Sequence, residues 1–382
     1  MKTAVIGTGH IARQHLACLR TLPDVQIVGV CDLSPALAES TAERYGVPVF
    51  FTNHREMLAT VRPDVVHVTT PPQSHFALAL DALAAGAHVV VEKPLTADPV
   101  QVEKLLAVAE TAATRGQHLV EDYNYLYNAP VLELRRQLAS GDLGAVVHVE
   151  VFICLDILGK DSRFADPNLP HPCLRLPGGA IYDFLTHFAY LAHAFAGPLQ
   201  ATPTAAGPGV QCVWSKRTAD SPLPADEFRA LINGTRAPSV LGFSAHGQPD
   251  VFWLRVYTTK ARVALNLFEQ RLTIERLRKV PRPLISLING WQEGRAIRQA
   301  ATRSLWRKLS GGPGAYEGLW TFLKQTYAQW QRPPSAPPDP VLGGVTLQQI
   351  REVNALLGAL SATAPAVSSA SSGSPSPEKG AA

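Results

Sequence analysis

The first third of the chain alternates short, β-branched apolar runs with longer amphipathic segments. The runs fall at 4–6, 27–30, 65–68, 88–91 and 117–120. Uninterrupted apolar runs of this length, each followed by a stretch of helical spacing, predict parallel strands buried on both faces. Helices are expected at 11–20, 35–45, 76–84 and 99–114, with a turn around 56–58. Together they predict a doubly wound α/β domain over 1–122.

Beyond a further helix at 129–139 and a strand at 146–153, the pattern changes. Strand-like runs recur close together at 239–245, 251–258, 262–266 and 271–275, separated by turn residues, as in an antiparallel sheet. A basic helical stretch at 281–309 and two helices at 316–330 and 346–360 follow, flanking a Pro-rich loop at 333–340. The second domain, 123–361, is therefore expected to be α+β with a largely antiparallel open sheet. From 362 to 382, Ser, Pro, Gly and Ala dominate, the composition of a disordered tail.

Composition narrows the class. With 46% hydrophobic and 17% charged residues, 382 residues can bury two substantial cores. The net charge of +4 reflects 35 basic against 31 acidic residues and does not call for nucleic acid. Five cysteines show no C-x-x-C pair, so neither a metal site nor a disulfide framework is expected, and a cytoplasmic setting fits. The apolar run after Met1 is too short for a secretory signal, and no stretch reaches the roughly 18 apolar residues of a membrane span.

The chemistry begins at Gly7-Thr8-Gly9-His10-Ile11-Ala12, which follows a strand and opens a helix. Gly7 permits a tight turn, Gly9 admits a pyrophosphate to the backbone, and Ala12 lets the helix pack closely on the strand. Asp32 stands after the second strand, where an acid accepts hydrogen bonds from the adenosine ribose and repels a 2′-phosphate. NAD is expected in preference to NADP.

Thr69-Thr70-Pro71-Pro72-Gln73-Ser74-His75 and Ala85-Gly86-Ala87-His88-Val89-Val90-Val91-Glu92-Lys93-Pro94-Leu95 extend this pattern. With the glycine fingerprint, they resemble the glucose-fructose oxidoreductase / inositol dehydrogenase / MocA (Gfo/Idh/MocA) family, closely through about Gly144 and more loosely afterwards. The resemblance implies a Rossmann domain followed by a domain whose open sheet often forms a dimer interface, hence a homodimer or homotetramer. It places Thr70, Pro71 and His75 along the cofactor, and Glu92 and Lys93 beside the nicotinamide, with a cis bond before Pro94. For His75, a residue that only caps or packs is an equal alternative. A lysine at the carboxyl end of a parallel strand points into the ligand crevice and can stabilise a developing alkoxide.

Gly178-Gly179-Ala180-Ile181-Tyr182-Asp183-Phe184-Leu185-Thr186-His187 resembles the family's Gly-Gly-x-x-x-Asp-x-x-x-His motif, in which the histidine accepts a proton and the aspartate shapes the sugar site. Four apart on a helix, Asp183 and His187 share one face. Lys93, Asp183 and His187 form the expected reaction constellation; a buried histidine with a capping aspartate is the structural alternative. Tyr182, Tyr190 and His193 read as packing or rim residues. One departure stands out: Leu126, in Asn124-Tyr125-Leu126-Tyr127-Asn128, occupies a position where the family commonly has arginine, while Asn124 and Tyr125 line the nicotinamide side. The loop 158–177, with Lys160, Asp161, Arg163, His171 and Arg175, either covers the substrate or is an exposed polar loop. The basic stretch 276–308 reads as a solvated helix face or a surface attracted to anionic lipid or a nucleotide diphosphate.

The expected activity is hydride transfer between NAD and a secondary alcohol of a sugar-like substrate. Two alternatives stay open: an NAD-retaining glycoside hydrolase, and a non-catalytic nucleotide-binding protein. Neither a nucleic-acid partner nor an integral membrane segment is expected.

Overall fold

A computed structural model describes residues 1–159, 162, 164, 174, 176–200, 209–219, 221, 223–309, 313–332 and 344–366. Lys160, Asp161, Arg163, His171 and Arg175 of the expected substrate loop lie outside the described residues, as do the Pro-rich loop 333–340 and the tail from 367.

The N-terminal sheet contains β1 (Lys2–Ile6), β2 (Gln26–Cys31), β3 (Phe50–Phe51), β4 (Val65–Val68), β5 (His88–Val91) and β6 (Leu119–Glu121). All pair in parallel, in the order β3-β2-β1-β4-β5-β6. This is the doubly wound order whose direction reverses between β1 and β4, which opens a ligand crevice at the carboxyl ends. Val65, Val66, Val68, Val89, Val90 and Val91 are buried, as expected where helices cover both faces. The helices are α1 (His10–Leu19), α2 (Pro35–Tyr45), α3 (His54–Val61), α4 (Pro72–Ala84) and α5 (Pro99–Ala113). Where a turn was expected around 56–58, α3 forms because Asn53 caps it, its side chain accepting from Arg55 N at 2.9 Å.

A 3-10 turn (Asn124–Tyr127) and α6 (Ala129–Ala139) lead to β7 (Val146–Cys154), then α7 (Ala180–Ala196). The remaining strands are β8 (Val210–Ser215), β9 (Glu227–Asn233), β10 (Pro238–Ser244), β11 (Val251–Thr258), β12 (Ala261–Asn266) and β13 (Arg271–Arg276). They form a seven-stranded sheet, β13-β12-β11-β7-β10-β9-β8, antiparallel except where β10 runs parallel to β7. α7 packs on one face, against β7 and β10. β8 and β9 were not among the expected strands, since the run Gln211-Cys212-Val213-Trp214-Ser215 carries few β-branched residues.

After α8 (Arg282–Leu309), the chain returns to the first domain. α9 (Glu317–Trp330) packs on α1, and α10 (Leu347–Ser361) on α5, β6 and α7. Arg351 anchors α10 to α5 through Glu103 at 3.1 Å and Glu110 at 2.7 Å. Of the expected tail, Pro365 is held in place, its carbonyl accepting from Gly178 N at 3.2 Å.

Candidate active site

Gly7 turns the chain out of β1 at φ 91°, and a Cβ there would lie 2.8 Å from Thr70 Cγ2 and 2.9 Å from the Thr69 carbonyl carbon. Only glycine satisfies both demands. Gly9 caps α1, a Cβ on it would meet nothing within 4 Å, and no side chain caps that helix. The first turn of α1 thus has no side-chain cap and room beside Gly9, an arrangement suited to a pyrophosphate. Asp32 braces the loop: Oδ2 accepts from Thr8 N at 2.8 Å and Thr8 Oγ1 at 2.9 Å, and Oδ1 from Ser34 N at 3.0 Å. Two carboxylate oxygens offer about four acceptor positions, so capacity is left for ribose hydroxyls. Leu33, next in sequence, is exposed and supplies no cation. His10 and Ile11 open α1, with His10 Nε2 2.8 Å from the Tyr316 hydroxyl. Thr70 and Pro71 join β4 to α4, beside Gly7.

The Lys93–Pro94 bond is cis, as the resemblance implied. Lys93, two residues past β5, reaches across to the second domain. Its Nζ donates to Asp183 Oδ1 at 2.7 Å and to the Asp183 carbonyl at 3.0 Å. The two side chains are only 13% and 16% exposed, so this ion pair is weakly screened. The Gly178-Gly179 turn places Asp183. Both glycines have positive φ, and added Cβ atoms would press on the Trp214 ring at 2.5 Å and Pro224 Cδ at 2.8 Å.

One turn along α7, His187 is buried, and Nδ1 lies 2.7 Å from the Tyr190 hydroxyl. Tyr190 donates its only proton to Asn124 Oδ1 at 3.0 Å and accepts from Tyr125 N at 3.3 Å. Its oxygen is therefore an acceptor toward His187, so the neutral imidazole carries its proton on Nδ1. The lone pair is then at Nε2, which makes Nε2 the proton-accepting nitrogen. Tyr125 packs edge-on to the imidazole at 4.9 Å. Tyr190 is thus more than packing: it is fully buried against Tyr123 and fixes the tautomer of His187.

Glu92 and His75 turn inward. Glu92 Oε1 meets His15 Nε2 at 2.9 Å, His15 Nδ1 meets His67 Nδ1 at 2.8 Å, and His67 Nε2 meets the Tyr327 hydroxyl at 2.9 Å. Thr3 Oγ1 completes this buried chain, 2.9 Å from Tyr327. Burial, reinforced by the charge of His15, holds His67 well below its ordinary value, so it is neutral. Burial opposes the Glu92 charge, yet His15, Lys93 and His75 outweigh it and hold the carboxyl below its ordinary value. Beside it, burial and the Glu92 charge push Asp122 well above its ordinary value, so Asp122 stays protonated. Burial pushes Glu121 up to about 7 against the pull of Asn354, Tyr123 and the Leu95 amide.

For His75 the structure favours the packing alternative. Its nitrogens face the Pro94 carbonyl at 2.9 Å and the Thr70 carbonyl at 2.7 Å, and it is fully buried, so it ties two crevice loops together. Leu126 packs in the core, which explains how an apolar residue is accommodated there. Asn124 acts through Tyr190 and Tyr125 N. His193 pairs with Glu352 at 2.6 Å, away from the constellation. Among the described residues, no cluster of three or more His, Cys, Asp or Glu could hold a metal ion.

Residues 1–121 match the profile of an oxidoreductase family with an NAD-binding Rossmann fold. D-glucoside 3-dehydrogenase of Escherichia coli (strain K12) is 34% identical over 147 residues, covering 38% of this chain and 41% of that protein. Glycosyl hydrolase family 109 protein 2 of Akkermansia muciniphila is 29% identical over 159 residues, covering 39% of this chain and 33% of that protein. The matched segments thus span between a third and about two fifths of those relatives. The fold as a whole is similar to the WlbA dehydrogenase of Bordetella pertussis, solved with NADH and UDP-GlcNAcA, at a TM-score of 0.70 and 18% identity over 94% of each chain.

Proposed function

We propose, from the match of residues 1–121 to the Gfo/Idh/MocA oxidoreductase family, an NAD-dependent dehydrogenase acting on a secondary alcohol of a sugar, cyclitol or sugar derivative. The observation that carries this reading is the meeting of Lys93 and Asp183 at 2.7 Å, one turn of helix from His187, at the mouth of the nucleotide crevice. Gly7, Gly9 and the start of α1 would hold the pyrophosphate, and Asp32, with no cation after it, favours NAD over NADP. NAD, when bound, supplies the acceptor for the hydride leaving the alcohol carbon.

The chain's own groups handle the proton and the charge. His187 Nε2 takes the hydroxyl proton, its direction set by Tyr190. Lys93 Nζ hydrogen-bonds the same oxygen and stabilises the developing alkoxide. Asp183 holds that ammonium in position. A homodimer or homotetramer in the cytoplasm belongs to this reading; the free thiols of Cys18, Cys31, Cys154 and Cys212 suit a reducing setting.

The test begins with titration of NAD, NADH, NADP and NADPH, followed by a screen of sugars for NADH production. Lys93→Ala and His187→Ala are each expected to reduce turnover by about a hundred-fold or more while nucleotide binding persists. Failure of all four nucleotides to bind, or turnover surviving both substitutions, overturns the proposal. The match to a glycosyl hydrolase favours a second reading, in which bonds are cleaved with NAD retained; substrate cleavage without NADH release distinguishes it.

A further inference from the structure

The basic helix α8 has no part in the chemistry above. Arg282–Leu309 spans 28 residues, about 42 Å at 1.5 Å per residue. It packs on the body along β13 and the 3-10 turn Gly314–Tyr316. Of its half-buried residues, Ile285, Ile288, Asn289, Ala296 and Ala300 fall on one side of the helical wheel. Leu287, Trp291, Leu305 and Leu309 fall on another line, 68%, 62%, 59% and 72% exposed. At 100° per residue these four lie within about 40° of one another. Trp306, 72% exposed, flanks them.

Between Trp291 and Leu305, the same side carries Arg295 and Arg298, and the Arg295 guanidinium lies 6.0 Å from the Trp291 ring. The helix sequence has six basic residues against one acid, Glu293. We propose that α8 is a peripheral membrane-binding helix, whose apolar line enters the headgroup region of a bilayer rich in anionic phospholipid.

Charge decides between this occupant and a second copy of the chain. Arg298 sits at the middle of the apolar line, between Leu287 and Leu309. Two copies paired along that line, parallel or antiparallel, would bring Arg298 against Arg298. Like charges at the centre of such a contact oppose it. A phosphate layer complements them: the arginine stems lie along the apolar line while the guanidinium groups reach the phosphates, and tryptophan suits the interface. The helix lies on the bilayer, for among the described residues no helix is long and apolar enough to cross it. The Tyr316 hydroxyl of the adjoining 3-10 turn is 2.8 Å from His10 Nε2, so docking holds the nucleotide loop beside the membrane.

The full chain is sedimented with vesicles of phosphatidylcholine alone, and of phosphatidylcholine carrying phosphatidylglycerol, while tryptophan emission is recorded. Pelleting with a blue shift is expected only on the anionic vesicles, and weaker when salt rises from about 0.1 M to about 0.5 M. Arg295→Glu with Arg298→Glu should weaken binding about ten-fold or more, since each basic residue near an anionic surface contributes about five-fold. Trp291→Ser with Trp306→Ser should remove the blue shift, and an unchanged thermal midpoint certifies the fold of both variants. No pelleting on either vesicle, or equal pelleting on both, overturns the proposal. So does a wild-type oligomer that both variants dissociate, which would show that a second copy covers the helix.

Discussion

Tyr190→Phe deletes one oxygen from a fully buried ring and leaves its packing against Tyr123, at 4.8 Å between centroids, in place. Three contacts disappear: His187 Nδ1 at 2.7 Å, Asn124 Oδ1 at 3.0 Å and Tyr125 N at 3.3 Å. Tyr125 N still donates to Asn124 Oδ1 at 2.8 Å, so the group that loses most is His187 Nδ1. Leaving a buried donor without its acceptor costs about 1–3 kcal/mol. The imidazole relieves that cost by moving its proton to Nε2, which puts a donor where the reaction needs an acceptor. At tenfold per about 1.4 kcal/mol, kcat should fall by about ten- to a hundred-fold. NADH affinity should stay within about two-fold, because Tyr190 contacts none of the phosphate-loop residues. His187→Ala removes the proposed base and should reduce kcat by about 10²- to 10⁴-fold. Steady-state rates across pH, with NADH fluorescence titration as the binding control, check both. A folded Tyr190→Phe enzyme with kcat within about two-fold of the parent at every pH would refute the tautomer argument.

Other parts of the site make separate predictions. Asp122 keeps its proton when folded, whereas the unfolded carboxyl releases it near 3.8; rising pH above about 4 therefore favours the unfolded chain, and Glu121 adds the same trend up to about 7. Asp122→Asn should flatten the fall of the thermal midpoint between about pH 5 and about pH 8, and parallel curves for variant and parent would contradict it. Gly7→Ala forces a Cβ to 2.8 Å from Thr70 Cγ2 at a φ of 91°; a loss of about 1–3 kcal/mol of stability and of NADH binding is expected, read by thermal melts and fluorescence. Tyr327→Phe severs the buried chain at His67 and Thr3. It should destabilise by about 1–3 kcal/mol in denaturant titrations, and an unchanged midpoint would show that the chain contributes nothing.

Much of the candidate site could be read locally. The glycine turn, the acid after the second strand and the Asp183–His187 pair all depend on residues within a few positions of one another, where strand and helix periods set direction. Tyr190 was within reach as well, three residues after His187 on the same helix, but a tyrosine in an apolar helix reads first as core. Asp122 also gave a signal, standing one residue past β6 beside the strand that carries Lys93. For His75 the sequence left two readings open, because a histidine at a helix start suits a cofactor contact as well as a clamp, and the Thr70 and Pro94 carbonyls it meets favour the clamp.

The sequence by itself determined the doubly wound N-terminal domain, the antiparallel character of the second sheet and the residue types at the candidate site. Apolar period, glycine placement and β-branching act over a few residues, so they survive without knowledge of what lies opposite. Tertiary structure decided which groups face each other. Lys93 and Asp183 are 90 residues apart, Tyr190 and Asn124 are 66 apart, and His67 and Tyr327 are 260 apart. Their protonation states follow from burial and from the partner each hydrogen bond finds. Those partners exist only once the second domain and the returning helices α9 and α10 have packed against the first.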